Sequence, residues 1–208
     1  MLDILYEDKY LIAINKKANQ LTIARDDEKS NNLYHEVSDY LKKKNKKNKV
    51  FIIHRLDCDT SGIVLFAKDE KTKQKMQSNW SNVIRNYVAF VSGPVKKNHD
   101  IIKTYLKETK TLFTYVSKSG KLALTEYEVI KKDNNHSALK IHLITGRKNQ
   151  IRVHLKHIGN PIVGDKKYGT EKYKYMLLHA NQIIFNHPYS AEIIKIDSKL
   201  PNYFISID

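Results

Sequence analysis

Two apolar, β-branched runs, Val50–Ile53 and Ile63–Ala67, enclose the stretch His54-Arg55-Leu56-Asp57-Cys58-Asp59-Thr60-Ser61-Gly62, which gathers a histidine, an arginine, two carboxylates and two hydroxyls. A polar loop held between buried strands is a favoured mount for catalysis, because the sheet fixes what the loop presents. The same residues also suit a tight turn, with Asp57 or Asp59 capping backbone amides and Thr60 and Ser61 bonding locally. A second cluster, Thr145-Gly146-Arg147-Lys148-Asn149-Gln150-Ile151-Arg152-Val153-His154, reads as a turn entering a helix. There Arg147, Arg152 and the free amides of a helix start can hold a phosphate or pair with a carboxylate, or simply form a polar helix end.

Several chemistries lack their residues. Ser61 lies in no G-x-S-x-G elbow, and His154 and His157 have no H-E-x-x-H pattern around them, so serine hydrolysis and zinc catalysis are unsupported. Gly146 belongs to no phosphate loop and no G-x-G-x-x-G occurs, which removes nucleotide hydrolysis and dinucleotide binding. Cys58 is the only cysteine, which excludes an internal disulfide framework and a cysteine zinc site.

The elements that must carry these clusters are legible from periodicity. Ile4–Tyr6 and Leu11–Ile14 around Glu7-Asp8-Lys9 predict a hairpin; Leu33, Val37, Tyr40 and Leu41 predict a helix from Asn32 to Lys44, followed by the tract KKKNKKNK at 42–49. Such a tract is either an RNA-contacting loop or a solvated connector. A helix over 69–80, strands at 87–91, 101–106, 112–117, 122–130 and 137–144, and a helix from Asn149 to Ile158 stopped by Gly159-Asn160-Pro161 complete an α+β pattern. The 208 residues suit one domain, with a subdomain seam expected near 94–100 in GPVKKNHD.

Lys and Arg total 37 against 22 Asp and Glu, a formal charge of +15 that would attract a polyanion, although a lysine-rich surface can also be mere composition. Arginine is scarce: Arg25, Arg55, Arg85, Arg147 and Arg152 stand among many lysines, so each suggests planar, forked recognition. Arg55, Arg147 and Arg152 fall in the two clusters. The start MLDILYEDKY lacks the basic and apolar runs of a signal peptide, and no stretch approaches the ~20 apolar residues of a membrane span. A protein of the cytoplasm, with no membrane partner, is expected.

The two clusters together resemble the RluA family of pseudouridine synthases. HRLDCDTSGIVLFAK at 54–68 is similar to the family's H-R-L-D-x-x-T-S-G signature, and ITGRKNQIRVHLKHIGNPIVGDKKYG at 144–169 resembles its second signature. ILYEDKYLIAINK, RNYVAFVSG at 85–93 and LLHANQIIFNHP at 177–188 agree in order, while the region near 95–121 has no counterpart. The resemblance implies a single catalytic domain with a mixed, largely antiparallel sheet, flanking helices and a central cleft. It implies isomerisation of uridine in structured RNA, ribosomal or transfer, by a monomer without metal or organic cofactor. Asp57 takes the position of the family's catalytic carboxylate, Tyr87 lies against the base, Arg152 pairs with Asp57, and Leu178 packs in the pocket. Arg55 assists extrusion of the nucleotide, and His54, Thr60, Gly146, Arg147 and Gln150 complete the expected substrate contacts.

The family often carries an N-terminal RNA-binding domain of S4 type, whereas this chain opens directly on ILYEDKYLIAINK, an opening that inclines the choice of substrate toward transfer RNA. RNA would then be gripped by the catalytic domain, with lysines supplying phosphate contacts. The chain departs from the family at Lys17 and Asn19, which replace Pro and Gly, and at Lys148 and Asn149, which replace Thr and His. Such changes, with the basic surface, also suit a non-catalytic RNA-binding or assembly factor on the same fold.

Overall fold

The computed structural model describes residues 2–24 and 32–204, so Arg25 lies outside the described residues. Two compact units are present: Met1–Val83 with Ala180–Lys199, and Ile84–His179 with Leu200–Asp208. The division falls between Val83 and Ile84. Residues 94–100, where a seam is expected, lie inside the second unit, since they connect two strands that belong to it.

The first unit is built on strands β1 (Ile4–Glu7), β2 (Leu11–Lys16), β3 (Phe51–Ile52) and β4 (Ser61–Ala67), with β2 and β4 paired antiparallel from Lys16↔Gly62 to Leu11↔Ala67. Both central strands are almost continuously apolar because both faces are covered. On one face Ile12, Ile14, Val64 and Phe66 pack against Leu33, Val37 and Leu41 of helix α1 (Leu33–Lys44). On the other, Leu11, Ala13, Ile63 and Leu65 meet Met76 of helix α2 (Glu70–Ser78). Asn32 and Asp69 cap the two helices, their side chains accepting the His35 and Thr72 amides. The helix expected over 69–80 breaks at Asn79 and continues as a 3₁₀ turn, Trp80–Asn82.

Unit two holds β5 (Ile84–Ser92), β6 (His99–Glu108), β7 (Thr114–Ser117), β8 (Lys121–Lys132) and β9 (His136–Leu143), in the order β5-β9-β8-β6-β7 with antiparallel pairs throughout. Helix α3 (Gln150–His157) lies on this sheet, Val153 packing with Leu106, Ala123 and Tyr168. The hairpin β10 (Leu178–Asn186) and β11 (Ile193–Asp197), which from Ala180 onward belongs to the first unit, is not marked by alternation. His179, Asn181 and Gln182 interrupt its apolar pattern, and cross-strand pairing, including a 2.6 Å bond from Gln182 Nε2 to Asp197, supplies what local sequence does not. The result is the expected α+β fold, a mixed, largely antiparallel sheet with few helices. Among the described residues no helix is long and apolar enough to cross a membrane.

Candidate active site

In the first unit the loop 54–60 is pinned through its backbone. Lys16, 1% exposed, donates from Nζ to the carbonyls of Cys58 at 2.9 Å, Gln20 at 2.8 Å and Lys17 at 2.9 Å. Thr22 Oγ1 donates to the Leu56 carbonyl at 3.0 Å, and the Thr60 amide closes a turn onto the Asp57 carbonyl at 3.2 Å. These bonds fix the main chain on both sides of Asp57, a half-buried residue. His54 is an anchor of the same loop: Nε2 accepts the Leu65 amide at 3.1 Å and the ring stacks on Trp80, centroids 4.8 Å apart. Arg55 is exposed, free to reach a ligand, whereas Thr60 is buried.

Lys16 is absent from the candidates that motif and spacing single out, although its phase on β2 signals it: it follows the buried positions Ile12 and Ile14 by the two-residue strand period. Burial pushes its ammonium down to about 8, against the opposing pull of Cys58, Asp57 and Asp59. The unfolded chain, with the ordinary value of 10.5, holds the proton more tightly, so the contribution of Lys16 to stability rises as pH climbs from about 8 to 10.5. Urea unfolding at pH 8 and pH 10 should show this rise, approaching ~1.4 kcal/mol per pH unit, in wild type and its loss in Lys16→Met. Equal pH dependence in both proteins would remove Lys16 as its source.

Gly62, the last residue of the signature, has φ of +112°, and a Cβ there would lie 2.3 Å from the Ala180 carbonyl oxygen. Both strain and backbone overlap forbid a side chain, which gives the glycine a physical reason. Gly62→Ala should destabilise by about 3 kcal/mol or more, read as a fall in denaturation midpoint. A variant as stable as wild type would contradict the close approach.

In the second unit, Tyr87 is 8% exposed on β5 and pairs in register with Ile141. Arg152, 5% exposed on α3, donates from Nε to Asp165 Oδ2 at 2.8 Å and from Nη2 to Asp165 Oδ1 at 2.7 Å. Burial pushes the Asp165 carboxyl up, but Arg152 and the amides of Lys167 and Tyr168 outweigh it and hold it below the usual range. Asp165 stands in the second signature, where nothing in its sequence neighbourhood marks a role. A carboxylate placed to receive a fork from a buried arginine is the signal that only the fold reveals.

Gln150 uses its whole amide internally: Oε1 accepts from Thr145 Oγ1 at 2.7 Å and Arg147 N at 3.0 Å, and Nε2 donates to the Leu124 carbonyl and Thr125 Oγ1, both at 2.9 Å. It shapes the turn that presents Gly146 and Arg147, both exposed, the latter braced by a 3.0 Å bond from Nε to the Leu122 carbonyl. Asn149 takes φ of 52°, a left-handed conformation that asparagine tolerates, and the Lys148 ammonium contacts Glu108. The two departures are thus absorbed locally. His154, fully buried between Thr104 and Thr125 hydroxyls at 2.9 Å each, is pushed down to about 4 by burial, with His157 adding to the shift, and stays neutral. Arg85, buried and donating to the Leu143 and Ile144 carbonyls, supports the same turn. Leu178 is buried at the start of β10.

A largely antiparallel α+β sheet carrying an Asp on an H-R-L-D-x-x-T-S-G loop defines the pseudouridine synthase class. Residues 10–157 match the family described as RNA pseudouridylate synthase. The chain belongs to this family, within its RluA branch. It is 36% identical over 213 residues to a ribosomal large subunit pseudouridine synthase C of Rickettsia typhi, covering 97% of this chain and 69% of that protein. A ribosomal large subunit pseudouridine synthase D of Buchnera aphidicola is 31% identical, over 99% of this chain and 71% of its own length. The fold is that of human RNA pseudouridylate synthase domain containing 4, with TM-score 0.83 at 22% identity over 97% of this chain and 90% of that one. The chain is an RNA pseudouridine synthase, an isomerase.

Proposed function

We propose that this enzyme isomerises uridine in large-subunit ribosomal RNA, with Asp57 as the reacting carboxylate and Tyr87 and Arg152 serving the same reaction. The observation that carries the assignment of Asp57 is its loop: the complete H-R-L-D-x-x-T-S-G signature is present, and Lys16, Thr22 and Thr60 hold its backbone on both sides of Asp57. The names of the similar proteins weigh toward ribosomal RNA over the transfer RNA to which the opening residues incline.

The reaction breaks C1′–N1, turns the uracil and joins C1′ to C5; the C5 proton leaves to solvent and N1 gains one. The base must first leave its stack. Asp57 acts either at C1′ or by adding to C6, and in both schemes the carboxylate must be ionised. Tyr87 supplies an aromatic face and a hydroxyl for proton transfer. Arg55, Thr60, Gly146, Arg147 and Leu178 form the substrate contacts, with His54 and Gln150 acting through the loops they brace. The enzyme works as a monomer in the cytoplasm. A non-catalytic binding role is not favoured, because Asp57, Tyr87 and Arg152 are all present.

Transcripts of large-subunit and transfer RNA carrying tritium at uridine C5 test this reading, since each isomerisation releases one tritium. Release from the ribosomal transcript and not from transfer RNA is expected; the reverse would overturn the substrate.

A further inference from the structure

The +15 charge is not spread evenly, and its densest run is ordered. Lys42, Lys43, Lys46, Lys47 and Lys49 are all exposed, and none has an acidic partner among the described residues. Lys44 alone is engaged, with Glu7. The asparagines between them build the turn: the Asn45 amide and Asn48 Nδ2 both donate to the Leu41 carbonyl, at 3.1 and 2.9 Å, the Lys47 amide donates to Asn45 Oδ1 at 2.9 Å, and the Asn48 amide to the Asn45 carbonyl at 2.9 Å. Carbonyls at a helix end favour cations, which accounts for Lys42 and Lys43 on α1. It does not account for Lys46, Lys47 and Lys49, which lie beyond the helix on a turn whose polar groups already satisfy one another.

Within the same unit this knob stands at a fixed distance from Asp57. The start of α1 is hitched to the catalytic loop, since the Tyr34 amide donates to the Thr22 carbonyl and Thr22 Oγ1 to the Leu56 carbonyl. Its end is hitched to the far edge, where Glu7 accepts from both Lys44 and Lys68. The 12 residues of α1 span about 18 Å. The β2/β4 ladder between Lys16↔Gly62 and Leu11↔Ala67 spans about 17 Å, so helix and sheet agree.

We propose that residues 42–49 form a distal binding site for the sugar–phosphate backbone of the RNA substrate, held about 18 Å from the Asp57 loop by α1. The proposal rests on the family's activity on RNA. Five unpaired ammonium groups on a preformed turn suit a polyanion and carry no means of reading bases, so the site adds affinity and register without sequence preference. Phosphates near the target uridine lie out of its reach.

The test compares wild type with the fivefold variant Lys42→Gln, Lys43→Gln, Lys46→Gln, Lys47→Gln, Lys49→Gln, and with the matching Lys→Arg variant, on a long transcript and on a short stem-loop bearing the same uridine. Gln and Arg match Lys in helix propensity at 42 and 43, and the turn beyond is held by Asn45 and Asn48 while the Lys46, Lys47 and Lys49 side chains are exposed, so folding is preserved. The Gln variant should raise KM on the long transcript about tenfold at physiological salt, with kcat unchanged, and lower the salt slope of binding by about 3 to 4. It should leave KM on the stem-loop unaltered, and the Arg variant should match wild type on both. An unchanged KM on the long transcript, or an equal rise on the stem-loop, would overturn a distal site. The wild-type arm decides the substrate reading separately: no product from large-subunit RNA overturns that reading, and KM is compared on the RNA that wild type does modify.

Discussion

Asp57→Asn is expected to eliminate pseudouridine formation, by at least about a thousandfold in kcat, while RNA affinity stays within about twofold. The amide keeps the size of the carboxylate but can neither form the covalent bond nor take the proton. The fold should survive because the loop is held by backbone groups: Cys58 O by Lys16, Leu56 O by Thr22, and Asp57 O by the Thr60 amide. Loss of the Asp57 charge also removes one of the groups that raise the Lys16 value, so the ammonium should fall further below its ordinary range. Turnover by Asp57→Asn at a tenth of the wild-type rate would exclude the carboxylate from the bond-making steps.

The second large effect concerns the Arg152–Asp165 pair. Arg152→Met leaves the Asp165 carboxylate fully buried without its cation and should cost about 3–5 kcal/mol of stability as well as activity. Such a result alone would not separate support of the fold from a part in the reaction. The double variant Arg152→Met, Asp165→Asn does, because the Asn carbonyl still accepts the Lys167 and Tyr168 amides that bind Asp165 at 2.9 and 3.0 Å, and the buried Asp165 charge is removed together with its cation. Most of the stability should return while the rate stays down by about a hundredfold or more, measured by urea unfolding and tritium release on the same preparations. Recovery of rate along with stability would make Arg152 a purely structural residue.

Much of this was legible beforehand, and the gaps follow from what local sequence encodes. Strands β2 and β4 announce themselves as short continuous apolar runs and helix α1 by apolar residues at helical period, and both signature loops stand out as polar stretches that interrupt or precede such patterns. The hairpin of β10 and β11 was missed because its pairing, not its alternation, makes it a structure. Lys16 and Asp165 were missed for a related reason: each is a charged residue whose role is to be buried beside a partner far away in sequence, Lys16 by 42 positions from Cys58 and Asp165 by 13 from Arg152. Gln150 and His54 stand out in sequence as candidate ligands of the substrate, and in the fold both side chains are engaged in bracing the site. A polar residue in a signature can thus serve the loop that presents the chemistry.

The most direct test is a map of pseudouridines, by carbodiimide reaction, in total RNA from cells with the gene, without it, and restored with wild type or Asp57→Ala. A large-subunit ribosomal site that disappears with the gene, returns with wild type and stays absent with Asp57→Ala is the predicted result. Return of the site with Asp57→Ala, or no site lost in any RNA, would contradict the account.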